Sequence, residues 1–165
     1  MDARRKEVIT LALLVAVLPP AWAVISPYLG NSVGPIALIS AGIYGANGNK
    51  FSDAHKIALG YLAGDIWALL VTLGMAATPF NADLSLFALL FIFGFLAVII
   101  ATRFDGIVYL PSWLAGWAIG MLTMNLDTMT NIYSLTVQIA VAMLVGVYYV
   151  GALLDKIHRI WNNKD

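Results

Sequence analysis

The stretch "IALGYLAGDIWALLVTLGMAATP", Ile57 to Pro79, holds a single charged residue, Asp65, in a run that is otherwise almost wholly apolar. At a rise of 1.5 Å per residue it makes a helix about 34 Å long, enough to cross a hydrocarbon core of about 30 Å. Whether this segment lies in water or in lipid decides the fold. The 165 residues are 61% hydrophobic and 11% charged, with a mean hydropathy of +0.87. A soluble domain carries about 25% charged residues. This chain has too few to cover a globule in water, so the expected class is an all-α, polytopic membrane helix bundle forming one domain.

Composition also excludes. A net charge of zero argues against nucleic acid as a partner. With no cysteine there is no disulfide, thiolate metal site or cysteine nucleophile. The two histidines, His55 and His158, lie near segment ends, which does not suit a zinc site. Neither a Ser/His/Asp grouping nor a phosphate-binding glycine loop is present, so the expectation is no enzyme, no cofactor and no metal. Arg4, Arg5 and Lys6 before an apolar run imitate a signal peptide. Pro19 and Pro20 inside that run, and the apolar segments that follow, predict a retained membrane helix instead.

Polar punctuation marks six apolar segments, 8–29, 33–46, 57–79, 84–102, 106–125 and 132–154. The second is short for a crossing. Basic residues stay on the cytoplasmic side of a membrane protein. With the N-terminus inside, the inside segments are 1–7, 47–56, 103–105 and 155–165. They hold all nine Lys and Arg residues: Arg4, Arg5, Lys6, Lys50, Lys56, Arg103, Lys156, Arg159 and Lys164. The outside loops near 28–32, 80–84 and 126–131 hold none. Dropping one segment moves basic groups outside, so the prediction is six crossings with both termini cytoplasmic. Tyr28, Tyr133 and Trp161 fall near the expected interfaces. A three-plus-three division would make the halves opposite in orientation. "VGPIALIS" (33–40) and "YLPSWLAG" (109–116) place a proline and then a small residue at matching offsets. That alone does not establish a duplication.

Local chemistry then picks out residues. Pro19 and Pro20 remove two backbone donors and predict a kink or break near Leu18. In segment two, Asn31 or Ser32 suits a cap and Pro35 the first turn. Ser40, Tyr44 and Asn47 share a face there, and Gly42, Gly45 and Gly48 leave little bulk, for a close helix or a passing solute. In segment three, Gly60 and Gly64 form a small-xxx-small pair that lets two backbones approach. Asp65 lies about 14 Å beyond Lys56, near the midplane, where a carboxylate costs about 2.5–3.5 kcal/mol. Tyr61, Ala68 and Thr72 share its face, and Trp67 points nearly opposite. No Lys or Arg lies at that depth, so Asp65 must be protonated, hydrogen-bonded, hydrated or facing a cation. The alternative reading is a neutral acid that bridges two helices.

Segment four is large and apolar throughout, as a lipid-facing scaffold would be. In segment five Pro111 predicts a bend, and Gly116 and Gly120 make a second small-xxx-small pair. Trp113 and Trp117 stack four apart, either walling a pathway and attracting a cation or filling a helix interface. In segment six Gln138, with Tyr149 on roughly its face, needs a partner within the bundle.

At "WAVISPYLG" (22–30), at "SAGIYGANGNKFSDAHKIALGYLAGDIWALL" (40–70) and in its six-segment layout, the chain resembles the domain of unknown function 1097 family of small bacterial inner-membrane proteins. The stretch "NKFSDAHKIALGYLAGDIWALL" (49–70) is also similar to the start of the third helix in fusaric-acid-resistance-type exporters, where a basic residue precedes a Gly-xxx-Gly helix. The resemblance implies a multi-pass protein of the bacterial inner membrane. It carries over no settled activity and no catalytic residue.

Two functions fit. One is a channel or transporter for a small neutral or cationic solute: an amine, an amide or a proton. Its pathway would be lined by Asp65, Tyr61, Thr72, Ser40, Tyr44, Asn47, Trp113, Trp117 and Gln138. Asp65 would bind the cation or carry a coupling proton. The other is an accessory membrane protein without flux, assembling through the glycine seams at Gly60, Gly64, Gly116 and Gly120. A homo-oligomer suits either.

Overall fold

A computed structural model describes residues 3–48, 50–79 and 81–162. Lys164, one of the basic residues assigned to the inside, lies outside the described residues. Every regular element among them is helical: α1 (Ala3–Ile25), α2 (Ile36–Ala46), α3 (Ala54–Ala77), α4 (Ala82–Arg103), α5 (Leu110–Thr123), α6 (Ile132–Val145) and α7 (Leu153–Asn162). A π-helical stretch, Gly146–Ala152, joins α6 to α7 without a break. Among the described residues four spans are long and apolar enough to cross a membrane: Val8–Leu29, Phe51–Ala77, Ala82–Arg103 and Leu126–Ile157. On α4, Phe87, Phe91 and Phe95 are 61–68% exposed. So large an apolar face is stable against lipid tails rather than water.

Local chemistry sets the helix ends. Asn81 caps α4, its side chain accepting from the Asp83 N–H at 2.9 Å and the Leu84 N–H at 3.3 Å. Asn125 and Thr128 form a reciprocal capping box at the 3₁₀ turn before α6. Gly30 and Gly48, with φ of 78° and 79°, take left-handed conformations that end the turns before and after α2.

The prolines do two different things. α1 continues through Pro19 and Pro20, so the predicted break near Leu18 does not interrupt the helix. At α2 and α5 a proline starts the helix. Pro35 immediately precedes α2, with φ already helical at −57°. The cap expected from Asn31 or Ser32 is not made: Pro35 holds the cap position without a side-chain hydrogen bond, and the Asn31 side chain accepts from the Val33 N–H at 3.0 Å in the turn ahead. Pro111 lies in the first turn of α5, where its missing N–H would have no partner in any case. Hence segment five is not bent at Pro111. It becomes helical only from Leu110 and ends at Thr123. By their rise α2 and α5 are about 16 and 21 Å long, short of a full core.

The helices group into two units. One comprises Met1–Ala54 and Val141–Asp165, the other His55–Ala140. In the second, α5 runs parallel to α3: contacts step from Gly60 with Tyr109 and Ser112, through Gly64 with Trp113 and Trp117, to Ala68 with Gly120. The Tyr109 N–H donates to the Lys56 carbonyl at 3.2 Å where the pair begins. α4 runs antiparallel to α3 and covers its other flank. Trp67 donates from Nε1 to the Phe93 carbonyl at 2.9 Å. Its ring meets Phe93 and Trp113 edge-on, at centroid distances of 5.3 and 4.9 Å. Ala97, Ala101 and Trp113 are the buried centre of this cluster.

In the first unit, α2 runs parallel to the π-helical stretch. Gly146 lies on the Ala37 carbonyl and Ser40, and Gly151 on the Tyr44 ring. α1 lies beside α7. Near its end, Trp22 donates from Nε1 to the Gly34 carbonyl at 3.1 Å. Each unit is thus held by small residues that admit a neighbouring backbone, the packing that works where lipid provides no hydrophobic drive between helices.

Candidate functional site

Asp65 lies on the seam between α3 and α5, and only 2% of its surface is exposed. The seam is built from glycine. A Cβ on Gly64 would overlap the Trp113 carbonyl. One on Gly116 would sit 2.7 Å from the Tyr61 carbonyl oxygen, and one on Gly120 would lie 3.6 Å from Oδ1 of Asp65. The carboxyl group therefore looks onto the bare backbone of α5 at Gly120. Its Oδ1 is buried with no hydrogen-bond partner. α5 carries no charged residue, and the only other Lys, Arg, His, Asp or Glu residues of α3, His55 and Lys56, are in its first turn.

Tyr61, Ala68 and Thr72, expected on the face of Asp65, are buried with it. The Thr72 hydroxyl donates to the Ala68 carbonyl at 2.9 Å, within its own helix. Trp67, expected nearly opposite, packs on the α4 side. Trp113 and Trp117 are buried too, at 3% and 8% exposure, and their indoles serve the same side. Trp113 meets Trp67, and Trp117 comes within 3.9 Å of a Cβ built on Gly94. Both indole Nε1 atoms are buried without a hydrogen-bond partner.

The other residues nominated from sequence stand elsewhere. Ser40 and Tyr44 are buried on the α2 seam of the first unit, with Ser40 donating to the Ile36 carbonyl at 3.3 Å. Asn47 donates from Nδ2 to Asp53 at 3.1 Å and so closes the turn between α2 and α3. Gln138 reaches Ser134 on its own helix at 3.3 Å. Two features escaped sequence reading. Ser112 is fully buried, packs against Gly60 and donates to the Tyr109 carbonyl at 2.8 Å. Gly146 and Gly151 are five apart, which in an α-helix at 100° per residue puts them about 140° apart. The π geometry aligns both with α2, and that alignment has no counterpart in 3.6-residue counting.

A family model described as "Protein of unknown function (DUF1097)" matches residues 12–158. The chain belongs to that family. In this DUF1097 protein the match runs from within α1 into α7 and takes in both seams. No curated protein matches the chain. No solved structure matches it either. The likeness to fusaric-acid-resistance-type exporters is not shown by these comparisons. Among the described residues no group of three His, Cys, Asp or Glu is placed to hold a metal ion.

Proposed function

We propose that this DUF1097 protein moves a small neutral or cationic solute (an amine, an amide or a proton) across the bacterial inner membrane. The carrying observation is Asp65, whose carboxyl oxygen Oδ1 is buried, lacks a hydrogen-bond donor and faces the backbone of α5 at Gly120. An acid at membrane depth without a protein partner is held by a proton, by water or by a cation that comes and goes. Tyr61 and Thr72, buried on the same helix face, are the other residues we assign to the pathway. The protein crosses the membrane six times with both termini cytoplasmic, as the placement of every Lys and Arg supports. It acts on its solute without chemistry or cofactor, and with lipid and further copies of itself as partners.

The accessory reading, assembly through glycine seams without flux, draws less support. Gly60, Gly64, Gly116 and Gly120 already lie against this chain's own helices. Uptake into proteoliposomes decides between the two. Wild type should carry at least one small amine, amide or proton, and Asp65→Asn should reduce that flux by about tenfold or more. No flux with any of them, or flux unchanged in Asp65→Asn, would overturn the transport reading.

A further inference from the structure

The two units repeat one plan. His55–Ala140 contains α3, α4, α5 and the start of α6; the other contains α1, α2 and the helix that runs from Val141 through the π-helical stretch into α7. Each has a long apolar helix, a short helix started by a proline, and a second long helix laid parallel to the short one through glycine. The match goes down to single residues. Gly146 abuts the carbonyl of Ala37, two residues after Pro35. Gly64 abuts the carbonyl of Trp113, two residues after Pro111. Ser40 and Gly116, each five beyond its proline, flank those same glycines: the Cβ of Ser40 lies 2.6 Å from a Cβ built on Gly146, and the carbonyl carbon of Gly116 lies 2.9 Å from one built on Gly64. Tyr44 and Gly120, each nine beyond, take the next contacts, with Gly151 and Ala68.

In chain order the halves are α1–α2–α3 and α4–α5–α6. Yet α3 belongs with the second half's helices, and the end of α6 with the first's. We infer that the chain is a duplicated three-helix half whose two copies have exchanged their third helices and cross the membrane in opposite directions. The inversion rests on the six-crossing reading above, since three crossings per copy is an odd number. It follows that Val147, also fully buried, is the counterpart of Asp65, and that the acid marks one copy alone. Inverted copies are the basis on which many carriers alternate between two packings. The duplication therefore deepens the transport reading toward a carrier with two states rather than an open channel.

The test uses the full chain with a protease site placed between Thr78 and Asn81, cut after insertion into the membrane. Both seams join half to half, so a tag on one half should recover the other in detergent. Gly64→Ala and Gly146→Ala should each lower that recovery by about tenfold, the effect of 1.4 kcal/mol. Gly42→Ala, whose Cβ would meet nothing within 4 Å, should leave it unchanged. Recovery that depends on one seam glycine and not the other, or halves that part without any substitution, would refute the exchange. The chain has no cysteine, so Ser32→Cys before α2 and Gly106→Cys before α5 can each be labelled singly with a membrane-impermeant maleimide. Labelling from opposite faces is expected, and labelling from one face refutes the inversion. Neither readout measures flux, so failure of the transport reading would leave both results standing.

Discussion

The α3/α5 seam and the α2 seam solve one problem with different helical geometry. Both lay glycine on the carbonyl two residues past a proline. In α3 the glycines are four apart, at 60 and 64, and a regular α-helix presents both to α5. Beyond Gly146 the next glycine comes five later, and the helix widens to π geometry to bring Gly151 onto Tyr44. The residue after the shared glycine differs as well: Asp65 in one seam, Val147 in the other. Backbone approach is thus the common requirement of both seams, and the acid is an addition to one of them. A group that packing does not need, and that costs free energy at membrane depth, is best explained by function.

The glycine-to-carbonyl contact common to both seams tolerates substitution least. Gly64→Val would drive a branched side chain into the Trp113 carbonyl and the Trp117 backbone nitrogen, neither of which can turn aside. The expected cost is above about 3 kcal/mol, beyond ordinary overpacking, and should appear as loss of the monodisperse protein on gel filtration. Gly146→Val should do the same, and a large difference between them would deny that the seams are equivalent.

Deletions sharpen the contrast in geometry. Removing Tyr148, which is 43% exposed, leaves Gly146 and Gly151 four apart, so the helix can become regular α and keep its contacts with α2. Removing Ile66, 51% exposed, turns the rest of α3 by about 100° and takes Ala68 off Gly120. Detergent melting curves should show the first variant folded and the second not. Equal loss in both would mean that the π-helical stretch serves more than glycine spacing.

Smaller effects follow from what each new methyl group meets. Gly64→Ala and Gly146→Ala, against carbonyls, should cost about 1–3 kcal/mol. That lowers the melting temperature by about 2–4 °C per kcal/mol. Gly151→Ala meets the Tyr44 ring at 2.8 Å, and a ring can tilt, so its cost should be the least of the three. Gly42→Ala, in open space on α2, should raise stability by about 0.5–1 kcal/mol through reduced backbone freedom. A loss there would point to a neighbour beyond this chain.

Much of the site was legible from spacing alone. Gly60, Gly64, Asp65 and Ala68 share a face at 3.6 residues per turn, and that face is the buried one. Trp67 was legible as the residue that points away. Spacing does not show which neighbour takes each remaining side chain. Trp113 and Trp117 could wall a pathway or fill a helix interface, and the structure packs their rings toward α4. Asn47 shares a helical face with Ser40 and Tyr44, but the chain turns just after it and the side chain closes that turn. Pro111 reads as a bend in the sequence because an unbroken apolar run does not show where the helix begins.

By itself the sequence determined the solvent, the helices and the isolation of one acid. Hydropathy, helical period and charge are summed over residues near one another in the chain, and no fold is needed to count them. Which helix lies against which was decided only by tertiary structure. A glycine states that something comes close without stating what, since it offers no side chain to match. The partner is set by where two backbones meet, with α5 against α3 and α2 against the π-helical stretch, and that is a property of the folded chain alone.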